Sequence, residues 1–403
     1  MLKRLNVVLK DWDYKKRLLP LFLKIMNKIL KRVLITAGSV LGVAVLVVGG
    51  YVSYVLLQYN RIEDNTVLNP NNNNDNLLDS DKTYKISTYN IGFGAYRPDY
   101  SFFMDEGYMA DGTKVSGKYG TAKSKESVIE STEGVINEIE KLDVDFAFYQ
   151  EVDTNSTRSH HVNQSEMIRD SFTDYNNVFA VNYHSAFLMY PFNDPIGKSN
   201  SGILTLSKYK IEESIRKSYP VSKGFDRLFD LDRCFSVSRL KVNDKELVLA
   251  NSHMSAYDEG GKIRALQMQV MKNFFEEEIS KGNYVIFGGD FNHDLINENP
   301  AYQYNESNPK PSWMNFTQLK PDWLANFDYE VDLGPNMSVA TSDNAPTCRD
   351  CDLPLIGNED VLYKSVVDGF IVSSNIEVIE TKTIVNNFEY SDHQPVLMEF
   401  KLK

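Results

Sequence analysis

The chain has few cysteines, no visible internal repeat, and no surplus of positive charge outside its first 32 residues. Its three cysteines, Cys234, Cys348 and Cys351, are an odd number. Disulfides are permitted outside a membrane, but the Cys348-x-x-Cys351 loop would close very little chain. A zinc centre needs two further ligands at suitable spacing, and none stands nearby. A local redox or disulfide pair and ordinary loop cysteines are the readings left. Residues 1–32 hold ten basic and two acidic side chains, a net of +8 against −12 for the whole chain, which leaves −20 for the rest. That balance excludes a strongly basic nucleic-acid footprint on the large domain. It does not exclude a nuclease, because metal ions can supply the positive charge of a site.

With 403 residues, 42% hydrophobic and 12% aromatic, the chain can bury a sizeable core as one large or two ordinary domains. Val33–Leu57 carries no charged side chain. At the α-helical rise it reaches about 37 Å, enough to cross a hydrocarbon layer of roughly 30 Å with some tilt. The run is too long for the apolar core of a signal peptide, and Gln58-Tyr59-Asn60-Arg61 is no cleavage site. A transmembrane helix is the expectation, with a cleaved signal or a buried helix as alternatives. The basic flank predicts a cytoplasmic tail over residues 1–32 and a large domain outside the cell membrane. Met26 heads a short basic segment that could itself be a start; otherwise residues 1–25 read as a basic helix at the inner membrane surface.

Residues 58–82, rich in Asn and Asp, predict a flexible stalk. Strand patterns follow at Thr83–Ile91, Val144–Tyr149, Gly202–Ser207, Phe235–Val242, Glu246–Ser252, Tyr284–Gly288, Ser365–Val372, Ile376–Thr383 and Val396–Leu402. Helical spacing marks Lys125–Leu142 and Lys262–Ile279. Residues 95–124 read as a long loop or lid, and the loop-rich stretch 292–345, with its Trp and Asn, reads as the rim of a site. Two packed sheets with helices outside fit this pattern better than a doubly wound parallel sheet.

Several of these strands end on metal-type or proton-transfer side chains: Asn90, Gln150-Glu151, Asn251-Ser252-His253, Gly289-Asp290-Phe291-Asn292 and Ser391-Asp392-His393. Carboxylate and amide oxygens are hard donors suited to magnesium, manganese or calcium. Histidines beside them can move protons near neutral pH. Each segment alone could be a turn or a solvated strand end; their order and joint occurrence carry the weight.

That ordered set resembles the endonuclease/exonuclease/phosphatase family over about Thr83–Lys403. Asn200-Ser201-Gly202, Arg264 and Gln267 after His253, and Val367-Asp368-Gly369-Phe370 add support. The resemblance implies an α/β fold, a four-layer α/β/β/α sandwich, as a catalytic domain over residues 83–403. It implies a divalent cation, magnesium first with manganese or calcium possible, held by Asn90, Glu151, Asp290 and Asp392. The catalytic set it implies is His253, Asp290, Asn292, Asp368 and His393, with Asp368 orienting His393. Substrate contacts would come from Asn292, Asn200 and Arg158, although Arg158-Ser159-His160-His161 otherwise reads as a surface loop. Arg349 reads as a solvated loop arginine.

The expected activity is metal-dependent hydrolysis of a phosphate ester by in-line attack of water. A phosphodiesterase acting outside the membrane on nucleic acid or a phospholipid headgroup comes first; an inositol or sugar phosphate phosphatase, or a non-catalytic binding module, is the alternative. The lipid bilayer is a partner through the N-terminal helix, and no protein partner is implied.

Overall fold

The computed structural model describes residues 2–403 except 225–226, 228–231 and 257–260, and gives only the backbone for residues 2–19 and 21. Two compact units divide the chain, residues 1–58 and 59–403. The first is a single helix, α1, Leu2–Gln58, with Pro20 inside it. Within it Phe22–Gln58 is long and apolar enough to cross a membrane, and it contains the expected span. Val40, Leu41, Val45, Leu46 and Val47 are all exposed. A helix that is apolar on every side and unburied is a candidate membrane anchor.

The second unit begins with a short strand, β1, Thr66–Leu68. There follow β2, Thr83–Asn90; α2, Lys125–Leu142; and β3, Phe146–Asp153. Next come α3, Gln164–Ser171; β4, Asn176–His184; β5, Asn200–Ser207; and β6, Glu213–Ser218. Then β7, Cys234–Val242; β8, Lys245–His253; α4, Lys262–Ser280; and β9, Tyr284–Asp290. The last are β10, Met337–Ala340; β11, Asp368–Ser373; β12, Ile376–Thr383; and β13, Val396–Leu402. One sheet runs β1-β6-β7-β8-β9-β11-β10 and the other β12-β13-β2-β3-β5-β4.

The two-residue period of the strands sorts the side chains into layers. Tyr84, Ile86, Phe146 and Phe148 of the second sheet meet Leu247, Leu249, Ile286 and Phe370 of the first in one buried core. The alternate positions Ala147 and Tyr149 face outward onto Val135, Ile139 and Ile168 of α2 and α3. On the far side Val248, Val285 and Phe287 pack on Met268, Met271 and Phe275 of α4. The result is helix, sheet, sheet, helix, the layering expected. Helix α2 starts where Ser124 and Ser127 cap each other reciprocally and stops at Asp143 in the left-handed region (φ 48°), which fixes its bounds.

The sequence pattern missed α3, β4, β6 and β10. β4 breaks its own alternation at a register shift between Val181 and Tyr183. β6 is mostly polar, and its Arg216 is fully buried, donating to the carbonyls of Val181 at 2.9 Å and Asp232 at 2.5 Å. The expected flexible stalk is also corrected: β1 pairs with β6, and Asn71 bridges Asn177. The Asn72, Asn73 and Asn74 side chains donate to the carbonyls of Ile211, Tyr175 and Asp174 at 2.7–2.9 Å. Asparagine's paired donor and acceptor let a polar segment dock on backbone as readily as on water.

Candidate active site

Two parallel strand pairs set the position of the site. β2 pairs with β3 so that Asn90 lies level with Gln150, and β8 pairs with β9 so that His253 lies level with Asp290. Parallel pairing brings the C-terminal ends of both strands of a pair to the same edge. Antiparallel β11 starts there too, with Asp368 opposite Asp290. The segment before β13 reaches the same edge, where Ser391 Oγ donates to the Asn90 carbonyl at 2.8 Å. Between the sheets, Gln150 Nε2 donates to Asn251 Oδ1 at 2.8 Å, and Asn251 Nδ2 donates to the Leu204 carbonyl at 3.0 Å. This buried amide chain fixes the two strand ends relative to each other.

Local backbone then aims the side chains. The β3–β5 register shifts between Tyr149 and Val152, and Glu151 takes a left-handed φ of 55°. A bulge of this kind takes a residue out of the ladder and re-aims its side chain. Gly289 has φ 138°, and a Cβ there would lie 2.0 Å from the Ser252 carbonyl oxygen, so β9 can turn here only with glycine. Asn292 (φ 50°) closes the following turn by donating its backbone N–H to Asp290 Oδ1 at 2.9 Å, and its Nδ2 donates to the Met254 carbonyl at 3.0 Å.

At the centre, His393 Nδ1 donates to Asp368 Oδ2 at 2.7 Å, and its Nε2 lies 3.7 Å from Asp290 Oδ2. His253 Nε2 approaches from the other side, 3.5 Å from Asp290 and 4.0 Å from Glu151 Oε1. Ligand-type atoms of Asp290, Asp368 and His393 fall within 4.8 Å of one another. Burial works against a charged His393, but its neighbours, Asp368 first, together outweigh it and hold the imidazolium well above the usual histidine range. Burial pushes Asp290 up to about 7, with Asp368 adding to the rise and His393 opposing it. Burial, then the charges of Arg233 and His393, push His253 far below the usual range. Burial also raises Glu151, with Arg158 opposing and Asp392 adding.

These groups share a cleft that encloses about 930 Å³, its mouth included, and that Glu151, His253, Asp290, Asn292, Asp392 and His393 all line. Asn90 Nδ2 donates to Asp290 Oδ2 and its Oδ1 accepts from the Gly92 N–H, both at 3.0 Å. Asn200 does not line the cleft; its side chain donates to Thr154 Oγ1 at 2.7 Å, and its buried neighbour Ser201 is among the lining residues. Arg158 lines the cleft but is no surface-loop residue. It is buried against Asp153 with two bonds of 2.9 and 3.0 Å, and its guanidinium lies 4.0 Å from the Phe93 ring centre. Arg349 is likewise buried, donating to the carbonyls of Asp350, Tyr96 and Arg97. All three cysteines are buried free thiols.

Several cleft residues escaped sequence reasoning, Arg233 and Asn182 among them. Arg233 precedes β7 with no motif around it, yet it lines the cleft. Asn182 sits at the β4 register shift and lines the cleft with a buried Nδ2 that meets no partner among the described residues. Only the shift turns Asn182 inward, and a lone Asn in a strand gives no signal of it.

A profile of the Endonuclease/Exonuclease/phosphatase family matches residues 87–348. Similar solved structures include an endonuclease/exonuclease/phosphatase from Beutenbergia cavernae, 14% identical, covering 80% of this chain and 72% of that one at a TM-score of 0.48. D. rerio TDP2 complexed with single strand DNA product is 12% identical, covering 79% and 99%, with a TM-score of 0.48. A Leptotrichia buccalis family protein is 16% identical, covering 79% and 100%, also at 0.48. No curated protein matches.

Proposed function

Because the chain belongs to the Endonuclease/Exonuclease/phosphatase family, we propose that it hydrolyses phosphodiesters, of nucleic acid or of phospholipid headgroups, with a divalent cation, magnesium first, in its cleft. One observation carries the reading: Asp290 lies between His393 and His253, and a second carboxylate, Asp368, backs His393. The donor set fits a hard cation. Glu151, Asp290 and Asp392 bring carboxylates to one cleft, and burial raises Glu151 and Asp290, a cost that a bound cation relieves. Those three residues would hold the ion, with Asn90 steadying Asp290. When bound, such an ion supplies Lewis acidity toward the phosphoryl oxygens.

The protein's own groups do the rest. His393, kept protonated by Asp368, directs Nε2–H toward a non-bridging phosphoryl oxygen, where negative charge grows in the transition state. Asp290, which both histidines approach, takes the proton of the attacking water as the bond from phosphorus to the leaving oxygen breaks on the opposite side, that oxygen gaining its proton from solvent. His253 stays neutral and serves as a hydrogen-bonding partner in the transition state; its depressed basicity disfavours a role as proton donor. Asn182 Nδ2 and Arg233 add donors and positive charge along the wall where the phosphate enters. The apolar stretch Phe22–Gln58 anchors the enzyme, with the basic tail inside the cell membrane and the catalytic unit outside.

The test is turnover by the purified full chain with magnesium, manganese or calcium on plasmid DNA, RNA, sphingomyelin and inositol phosphates. Metal-dependent turnover of a diester is expected. His393→Ala or Asp290→Ala should lower it by about 10²–10⁴-fold. Variants as active as the parent, or full activity in chelator, would sink the assignment.

A further inference from the structure

Beside the cleft, residues 185–199 form a loop between β4 and β5 that is anchored at its root and apolar at its tip. Leu188 pairs with Gly197 across the loop, and Leu188 and Ile196 are buried. Asp194, its single acid, turns inward. Its carboxylate accepts the backbone N–H groups of Gly120 and Thr121 at 2.8 and 3.2 Å and the Thr121 hydroxyl at 2.8 Å. The tip does the opposite. Phe192 is 82% exposed and Tyr190 62%, their rings in edge contact at 5.9 Å. The Tyr190 ring also meets Phe103 at 5.6 Å. Phe103 stands between Phe102 and Met104, which line the cleft, and Ile196 lines it from the loop itself.

Two large rings held out in water by a well-tied loop are an unfavourable surface unless something covers them. The chain names the cover. Its N-terminal helix has the length and composition of a membrane span, and the folded unit begins at Tyr59, one residue after that helix ends. A domain so tethered meets the bilayer at high effective concentration. Tyr settles at the headgroup level, and Phe buries its ring at the boundary of headgroups and acyl chains. In a domain of strong net negative charge, the loop turns its acid away and leaves Lys198 exposed at its base, which suits anionic headgroups.

We propose that the loop over residues 185–199 is a second membrane contact, in which Tyr190 and Phe192 enter the interfacial layer of the anchoring bilayer and bring the cleft to lipid headgroups. The docking rests on the proposed anchor, and the choice of headgroup esters as substrate rests on the proposed hydrolysis.

The probe is the full chain reconstituted in phosphatidylcholine and phosphatidylglycerol vesicles, with and without brominated acyl chains, comparing Phe192→Trp with the parent to isolate the added emission. A blue-shifted emission quenched by bromine is expected. Emission at the wavelength of a water-exposed indole, unquenched, overturns the proposal. So does a blue shift without bromine quenching, which would mark a second copy of the chain or another protein over the loop. Chain recovered free of the vesicles would sink the anchor itself. In the same vesicles Phe192→Asp should lower headgroup hydrolysis about tenfold, the partition that one buried aromatic ring is worth, and leave a soluble nitrophenyl phosphodiester unaffected. Equal loss on both substrates counts against docking. If the parent cleaves neither substrate, the hydrolase reading falls while the quenching result still decides the loop.

Discussion

His393 faces a carboxylate at each ring nitrogen, and the two do different things. Asp368, at 2.7 Å, fixes which nitrogen points into the cleft and stabilises the imidazolium; Asp290, at 3.7 Å, is near enough to share its field without a direct bond. Asp368 is itself fixed, its backbone N–H donating to Thr347 Oγ1 at 3.1 Å. Replacing it with the isosteric amide keeps the shape and removes the charge. His393 is held above its ordinary range chiefly by Asp368 working against burial, so without that charge it should lose its proton at lower pH. If the protonated form is the active one, activity is full below the histidine's pKa and lost as pH rises through it. Asp368→Asn is therefore expected to move the alkaline limb of the pH–rate profile downward and to lower turnover by about 10–100-fold, the usual effect of losing such a partner. A merely structural Asp368 would lower the folded fraction and leave the limb where it was.

Strands and helices with a strong period were legible in the sequence, and elements that use polar groups to pack were not. The bounds of α2 follow from apolar spacing and caps, and those of β13 from its apolar run. Asp290 stands out because it ends an apolar strand on a carboxylate, Glu151 because an apolar run leads straight into it, and His393 because Ser391-Asp392-His393 stands just ahead of the apolar strand β13. Asn182 and Arg233 stand in no motif, and the side of Asn90 that faces Asp290 is fixed by the Gly92 turn, which no spacing reveals. The Asn-rich segment misled for a related reason: its composition is that of a linker, but its side chains bond to backbone. Asn176 is the hub there. It is fully buried, its Oδ1 accepts the N–H groups of Asn73 and Asn74 at 2.6 and 3.0 Å, and its Nδ2 donates to Asn74 Oδ1 at 3.2 Å. Asn176→Ala should cost about 1–3 kcal/mol. It should also release residues 71–76 to rapid hydrogen exchange while the protection of β2 and β3 persists. Equal protection of residues 71–76 in both proteins would mean that the remaining Asn contacts suffice and the hub is redundant.

At the scale of the whole molecule, charge separates the two substrate classes. Everything beyond the basic tail carries a net −20, so a long polyanion is repelled at distance whatever the cleft offers at contact. Repulsion of that range is screened by salt: between about 0.01 and 0.1 M the screening length shrinks from roughly 30 to 10 Å. Most proteins that act on nucleic acid lose affinity over such a range, because their cations release counterions from the phosphates. Here the balance runs the other way. With the divalent ion held constant, kcat/KM on plasmid DNA is expected to rise with monovalent salt, while kcat/KM on a zwitterionic headgroup in neutral vesicles stays flat, since such a substrate has no net charge to repel. A steep fall on DNA would show that a local cationic surface governs the encounter. Arg233 is one of the cations that line the cleft; Arg233→Gln should then lessen the fall. A rise on DNA together with a flat response on lipid leaves the headgroup ester as the substrate that this charge distribution admits without a penalty.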